Sequence, residues 1–312
     1  MNIDMAASKR KKRISFSAFD AVNIFLLLIV AVVTLYPFYN VLIISLNDPT
    51  DTLMGGLYTH VRKFTFDNYM HFFSNKDFAG SFAMSVLRTV VGVPTSVLFT
   101  AAFAYGVSKK YLVGQKLILR LMMITMYVNG GLIPTYILIR SIGLYENFLV
   151  YIIPALFSAY NAIILITFFK GIPAEIEESV RVDGGNDLVI FFRIVLPISI
   201  PVIATIALFN AVTQWNSWFD TILYGGRKLM TLQAKLVEII RDADAARKLE
   251  ASGQAITASI VRAHFKPTVE SVKATAMMVT AVPIVLVYPF AQKFFVKVIM
   301  VGYFKGSVAP LA

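Results

Sequence analysis

The chain has 312 residues, of which 57% are hydrophobic and only 15% charged, at a mean hydropathy of +0.70. A soluble domain carries about 25% charged residues, so this composition excludes an ordinary water-soluble enzyme and a disordered chain. Lys and Arg number 29 against 18 Asp and Glu, and in a membrane protein a net charge of +11 reports loop topology; no nucleic-acid-binding motif accompanies it.

The N-terminal 20 residues form a basic tail, KRKKR from Lys9 to Arg13. It looks like the start of a signal peptide, but the apolar run behind it is too long and no small-residue cleavage site follows, so a retained first helix is expected. Six apolar runs follow, at 22–44, 87–107, 117–139, 147–169, 194–215 and 273–295. Each is about 20–24 residues, enough at 1.5 Å per residue to cross a ~30 Å hydrocarbon core, and far longer than a barrel strand. The expected fold class is therefore an all-α polytopic membrane protein of six transmembrane helices, with residues 21–312 as one domain.

Between the first two runs, residues 46–80 combine Asp48-Pro49 and Gly55-Gly56 with Phe64, Phe66, Tyr69, Phe72 and Phe73, which suits a short packed structure outside the membrane. The second run holds Gly92 and Pro94, the third Asn129-Gly130-Gly131 and Pro134, and the fifth Pro197, Pro201, Asn210 and Gln214. Pro and Gly inside a membrane helix need neighbours or cavity water to satisfy the freed carbonyls, so these runs suit a translocation path. Arg88 and Arg120 fall at run ends, where they are expected to snorkel. The loop 216–272 opens with Trp215 and Trp218, read as an interfacial anchor pair. In it Leu232, Leu236, Ile239 and Ile240 recur at helical spacing behind Thr231, which stands at a cap position. An amphipathic helix outside the membrane follows, packed on its own protein or offered to an external partner.

Basic residues divide unevenly. One side holds five in the tail, then Lys109, Lys110, Lys116 and Arg120, then Lys170, Arg181 and Arg193, then Lys293, Lys297 and Lys305. The other holds Arg62, Lys63, Lys76 and Arg140, plus eight in the long loop, which largely escapes the rule. Both termini are expected in the cytoplasm. No Asp or Glu lies deep in any run, and His60, His71 and His264 all fall in outer loops, which argues against a proton-coupled carrier. The chain has no Gly-Lys pair, hence no P-loop, and no cysteine. No convergent set of acid, base or metal ligands suggests an enzyme, and no catalytic residue, metal site or cofactor is expected.

The most specific segment is 171–197, GIPAEIEESVRVDGGNDLVIFFRIVLP. Pro173 and the acids Glu175, Glu177 and Glu178 favour a helix start, and Asp183-Gly184-Gly185-Asn186 a stop and turn before a second helix. The stretch resembles the EAA loop of binding-protein-dependent ABC importer permeases. Glu178-Ser179-Val180 is followed after three residues by Gly184, with Ile194 and Leu196-Pro197 downstream; Ser179 and Val180 stand where the pattern has alanines. The form PAEIEE-x-x-R-x-D-G is similar to carbohydrate importers of the maltose-permease type. YVNGGLIPTYILIRSIGLYENF and VGYFKG look like the LplC-type subgroup that imports oligosaccharides from plant polysaccharides.

The resemblance implies a type I ABC importer permease fold and one member of a permease pair, served by a cytoplasmic ATPase dimer and an extracytoplasmic solute-binding protein in a bacterial plasma membrane. It implies that Glu178, Arg181, Asp183, Gly184 and Pro197 couple to the ATPase across the loop 171–193, and that the loop 216–272 reaches toward the binding protein. Tyr127, Asn129, Asn210, Gln214 and Trp215 are the candidate walls of the sugar path, since sugars need aromatic platforms and amide partners. Two alternatives stay open: a carrier driven by an ion gradient, and an ABC permease for a solute other than sugar.

Overall fold

The computed structural model describes residues 18–56, 59–251 and 268–306. The basic cluster Lys9–Arg13 and, within the loop 216–272, residues 252–267 with His264 lie outside the described residues.

Helix α1 (Ala18–Ser45) contains the first expected run. From residue 21 to 39 every side chain is exposed, and a rod apolar on all sides is what a lipid-facing span requires. It leans on the last helix of the chain. A compact cap follows, containing α2 (Pro49–Thr52) and α3 (Asp67–Ser74). Asn47, fully buried, organises it: its Oδ1 accepts from the Arg62 and Lys63 amides at 3.0 and 2.9 Å, and its Nδ2 donates to Asp51. Asp51 pairs with Arg62 at 2.8 Å, and Phe72 stacks on Phe78 at 4.7 Å. Hydrogen bonds from Asn47 and Arg62 hold the Asp51 carboxyl below its ordinary value, and bonds from Thr50 and the Asp51 amide do the same for Asp48.

Helix α4 (Lys76–Ser108) starts well before the expected run at 87, because Asn75 caps it by accepting from the Asp77 amide. At 33 residues it is about 50 Å long and exceeds any bilayer core. Ser81, Ser85, Arg88, Gly92, Ser96, Thr100 and Ala104 form one buried face at helical spacing. Small residues there let backbones approach closely, as membrane helix interfaces require.

The third, fourth and fifth runs are not single straight spans. The third is α5 (Gln115–Tyr127) and α6 (Leu132–Ser141), meeting at 114°. Asn129 Oδ1 accepts from the Gly131 amide at 2.9 Å, a local bond that replaces the helix ladder. The fourth opens with a 3-10 turn (Phe148–Tyr151) and becomes helical only at α7 (Ala159–Phe169), where Ser158 caps by accepting from the Asn161 amide. α7 then bends by 77° into α8 (Ala174–Val182). The fifth passes through α9 (Asp187–Ile190), a π-helical segment (Phe191–Val195) and α10 (Leu196–Ile198), and turns by 82° into α11 (Ile200–Asn216). Pro201 has no N–H to continue the ladder across Ser199. A second π segment (Thr221–Gly225) leads to α12 (Leu232–Ala251), and α13 (Val269–Gly306) closes the chain. Among the described residues three helices are thus long and apolar enough to cross a membrane alone, and up to six spans result by length and composition when each bent pair counts as one.

The main core lies where α4, α7, α9 and α11 meet, around Ala101, Ala104, Leu165, Ile190, Val195 and Ile206. A second cluster joins Phe72, Trp215, Leu232, Ile239, Val272 and Ala276. The apolar stripe of α12 is therefore packed on its own protein. Thr231 caps that helix, its Oγ1 accepting from the Ala234 amide at 3.4 Å.

Candidate coupling loop and translocation cavity

The segment 171–193 is a helix, a turn and a second helix, exposed at its tip and anchored in the main core by Ile190 and Phe191. Glu175 and Glu177 occupy the first turn of α8, where the helix dipole favours them. Its end is a Schellman stop: the Gly185 amide donates to Val180 O at 2.8 Å and the Gly184 amide to Arg181 O at 3.0 Å. Gly184 has φ +82°, a region that carries a steric penalty for side chains. Asn186 caps the second helix by accepting from the Val189 amide. Glu178, Asp183 and Gly184 are exposed, and so are the apolar Val182 (87%) and Leu188 (67%) at the tip.

The loop is fastened to the base of α4. Lys109 pairs with Glu177 and sits 3.8 Å from the centre of the Tyr105 ring. Arg181 forms a 2.6 Å ion pair with Asp187 and donates to the Tyr111 hydroxyl at 3.2 Å. Those two partners raise the Arg181 pKa above its ordinary value and keep it cationic. Arg181 thus ties α8 to the start of α9 while its side chain stays exposed. Pro197 lies exposed in the first turn of α10.

A cavity of about 820 Å³ opens between α4, α7, α11 and α13, lined in part by Ser96, Asn161, Asn210, Gln214, Trp215 and Tyr288. No lining residue is charged. An amide ladder crosses its wall: Asn161 Nδ2 donates to Asn210 Oδ1 at 3.0 Å, and Asn210 Nδ2 to Ser96 Oγ at 3.4 Å. The structure brings Asn210, Gln214 and Trp215 together here. Tyr127 (81% exposed) and Asn129 do not line the cavity; they sit at the α5–α6 break.

Two expectations fail near this cavity. Arg88 does not snorkel. It is 2% exposed inside α4, because its guanidinium donates to Gln214 Oε1 (2.8 and 3.0 Å), to Asp220 (2.6 and 3.3 Å) and to Ser217 O (3.3 Å). It also lies 4.2 Å from the Tyr151 ring centre. Gln214 is spent on Arg88 and on Tyr151 O, and Gly92 leaves the room it needs, since a Cβ there would meet Gln214 Nε2 at 3.0 Å. Nor is Trp215 an interfacial anchor: it is 8% exposed and its indole N–H donates to Thr280 O at 2.9 Å. The signal for Arg88 was the polar spacing of α4, whose members 85, 88, 92, 96 and 100 share a face; its partner Asp220 lies outside every apolar run.

The helical bundle thus combines an uncharged cavity with a helix–turn–helix exposed at its tip, and among the described residues no group of three His, Asp or Glu could hold a metal ion. The chain is 35% identical to the polygalacturonan/rhamnogalacturonan transport system permease protein YtcP of Bacillus subtilis over 92% of its length and 98% of that protein. It is 33% identical to Protein LplC of the same organism, over 92% and 95%. A crystal structure of a bacterial ABC transporter importing the acidic polysaccharide alginate contains a chain that superposes with a TM-score of 0.78 at 29% identity, over 90% of this chain and 99% of that one. No family model matches the sequence. The chain belongs to the permeases of ABC transporters.

Proposed function

We propose that this chain is one of two membrane permeases in an ATP-driven importer that takes up an oligosaccharide, cut from a plant polysaccharide and delivered by an extracytoplasmic binding protein. The carrying observation is the loop 171–193, with exposed Glu178 and a glycine-stopped helix, in a chain 35% identical over 92% of its length to a polygalacturonan/rhamnogalacturonan permease. The chain lacks a P-loop, so ATP hydrolysis falls to a separate ATPase pair docked on this loop through Glu178, Asp183 and the Val182–Leu188 tip. Arg181 steadies the loop by tying α8 to Asp187, and the exposed Pro197 follows it in α10. The loop and both termini then face the cytoplasm of a bacterial plasma membrane, and the cap and α12 the opposite side.

Asn210, Gln214 and Trp215 belong to the wall of the sugar path, with Asn161 and Ser96 added by the amide ladder. Tyr127 and Asn129 take part only through the exposed α5–α6 break, where a second permease packs. No cofactor is required on this chain.

The test is uptake by the complete complex in proteoliposomes, with an oligogalacturonide mixture outside and ATP inside. ATP-dependent accumulation that needs the binding protein is expected. Accumulation without ATP that collapses with an ionophore overturns the proposal in favour of a gradient-driven carrier. Accumulation of a non-sugar solute alone overturns the sugar assignment.

A further inference from the structure

We infer that two ion pairs, Arg88–Asp220 on α4 and Lys109–Glu177 at its C-terminal end, are the positioning contacts through which this permease is regulated from both sides of the membrane. The inference rests on the importer reading above. α4 is unbroken from Lys76 to Ser108, whereas the alternative route to α8, through α7, bends by 77°. Arg88 and Lys109 are 21 residues apart in sequence, about 32 Å along a helix, so they mark opposite ends of the membrane-crossing stretch.

At the first end the side chain is built for holding, not for binding substrate. Arg88 is buried, and its guanidinium donates to Asp220, Gln214 and Ser217 O beside the Tyr151 ring. One turn earlier on the same face, Ser85 Oγ accepts the Leu232 amide at 2.8 Å. Together they fix both ends of the segment 217–232, the entry to α12, against α4. An Arg fork is suited to this because it satisfies a carboxylate and an amide oxygen at once, which a Lys point charge cannot. At the other end Lys109 follows directly on α4, and its ammonium joins Glu177 of α8 over the Tyr105 ring; both partners are largely buried, so solvent screens the pair weakly.

The two pairs have separable effects. The outer pair sets the face offered to the binding protein, so weakening it changes the concentration of loaded binding protein needed for half-maximal ATP hydrolysis. The inner pair sets the pose of α8, so weakening it changes the maximal stimulation and the hold on the ATPase.

The experiment uses the purified complex with its ATPase and a binding protein loaded with the oligogalacturonide mixture. Asp220→Asn and Arg88→Lys are expected to raise the half-maximal concentration about fivefold and leave the maximum in place. Lys109→Glu and Glu177→Lys are expected to lower the maximum about fivefold at an unchanged half-maximal concentration, and the double exchange to restore it. Variants that move both quantities alike, or a double exchange as defective as its singles, overturn the inference. ATPase retention on the immobilised permease needs no sugar and judges the inner pair separately: it is expected to fall in each single and recover in the exchange. Failure to recover overturns the inner assignment. Absence of any stimulation in the unmodified complex counts against the importer reading instead.

Discussion

Gly184 carries the stop of α8 on a backbone angle of +82°, with open space around its missing side chain. Gly184→Val is expected to strain that turn by about 1–2 kcal/mol and to reorient α9, with little effect on membrane insertion. Co-purification of the ATPase against the yield of inserted permease measures this; full ATPase recovery would show that the turn is dispensable. Arg88→Ala removes the cation that Asp220 pairs with and both donors to Gln214 Oε1, leaving Asp220 only its bonds from Ser217 and the Thr221 amide, and a loss of about 3–5 kcal/mol is expected, read as a lower thermal midpoint in detergent. Asp51 supports the cap only while ionised. Its folded pKa lies below the ordinary aspartate value, so its contribution is complete above that value and fades as pH falls through the lowered one. Hydrogen exchange at the Arg62 and Lys63 amides should therefore stay slow down to about pH 4 and accelerate below it, and Asp51→Asn should remove the acid step. Of these residues the sequence showed Gly184 plainly, because a glycine after an acidic amphipathic turn reads as a stop. Arg88 was misread, since a single cation near the edge of an apolar run gives no hint of an acceptor 132 positions away.

At the scale of elements, α12 was legible because its apolar spacing and its capping threonine are both local signals. Its burial was not, since the same stripe suits a partner as well as its own α4 and α13. Thr231→Ala should cost about 1 kcal/mol and Ile239→Ala about 2–5, the first through a lost cap and the second through a cavity in a fully buried cluster. Thermal unfolding of the detergent-solubilised chain separates them, and equal costs would contradict the packing described. The broken spans follow a different logic. Hydropathy counts apolar residues and is blind to direction, so Asn129-Gly130-Gly131 marked a weak point without revealing a turn of 114°. The bend at Ser199 was foreshadowed by Pro197 and Pro201, but its 82° comes from how α9 and α11 pack on α4 and α7.

For the whole molecule, the six apolar runs led to the architecture because length against bilayer thickness is a strong constraint. Asn210, Gln214 and Trp215 were legible as wall residues, but Ser96 and Asn161 were not, because the cavity is assembled from α4, α7, α11 and α13 and its polar wall consists of scattered uncharged amides and hydroxyls. The exposed junction between α5 and α6 has a further consequence, for the life of the protein in the cell. Each half is too short to cross ~30 Å alone, and non-helical backbone at that depth is tolerated only against protein or water. A copy made in excess of its companion subunit would hold that backbone against lipid, at a cost of several kcal/mol per unsatisfied group. Surplus copies should be short-lived, cleared by membrane quality control, so that the abundance of this subunit is set by its companion more than by its own rate of synthesis.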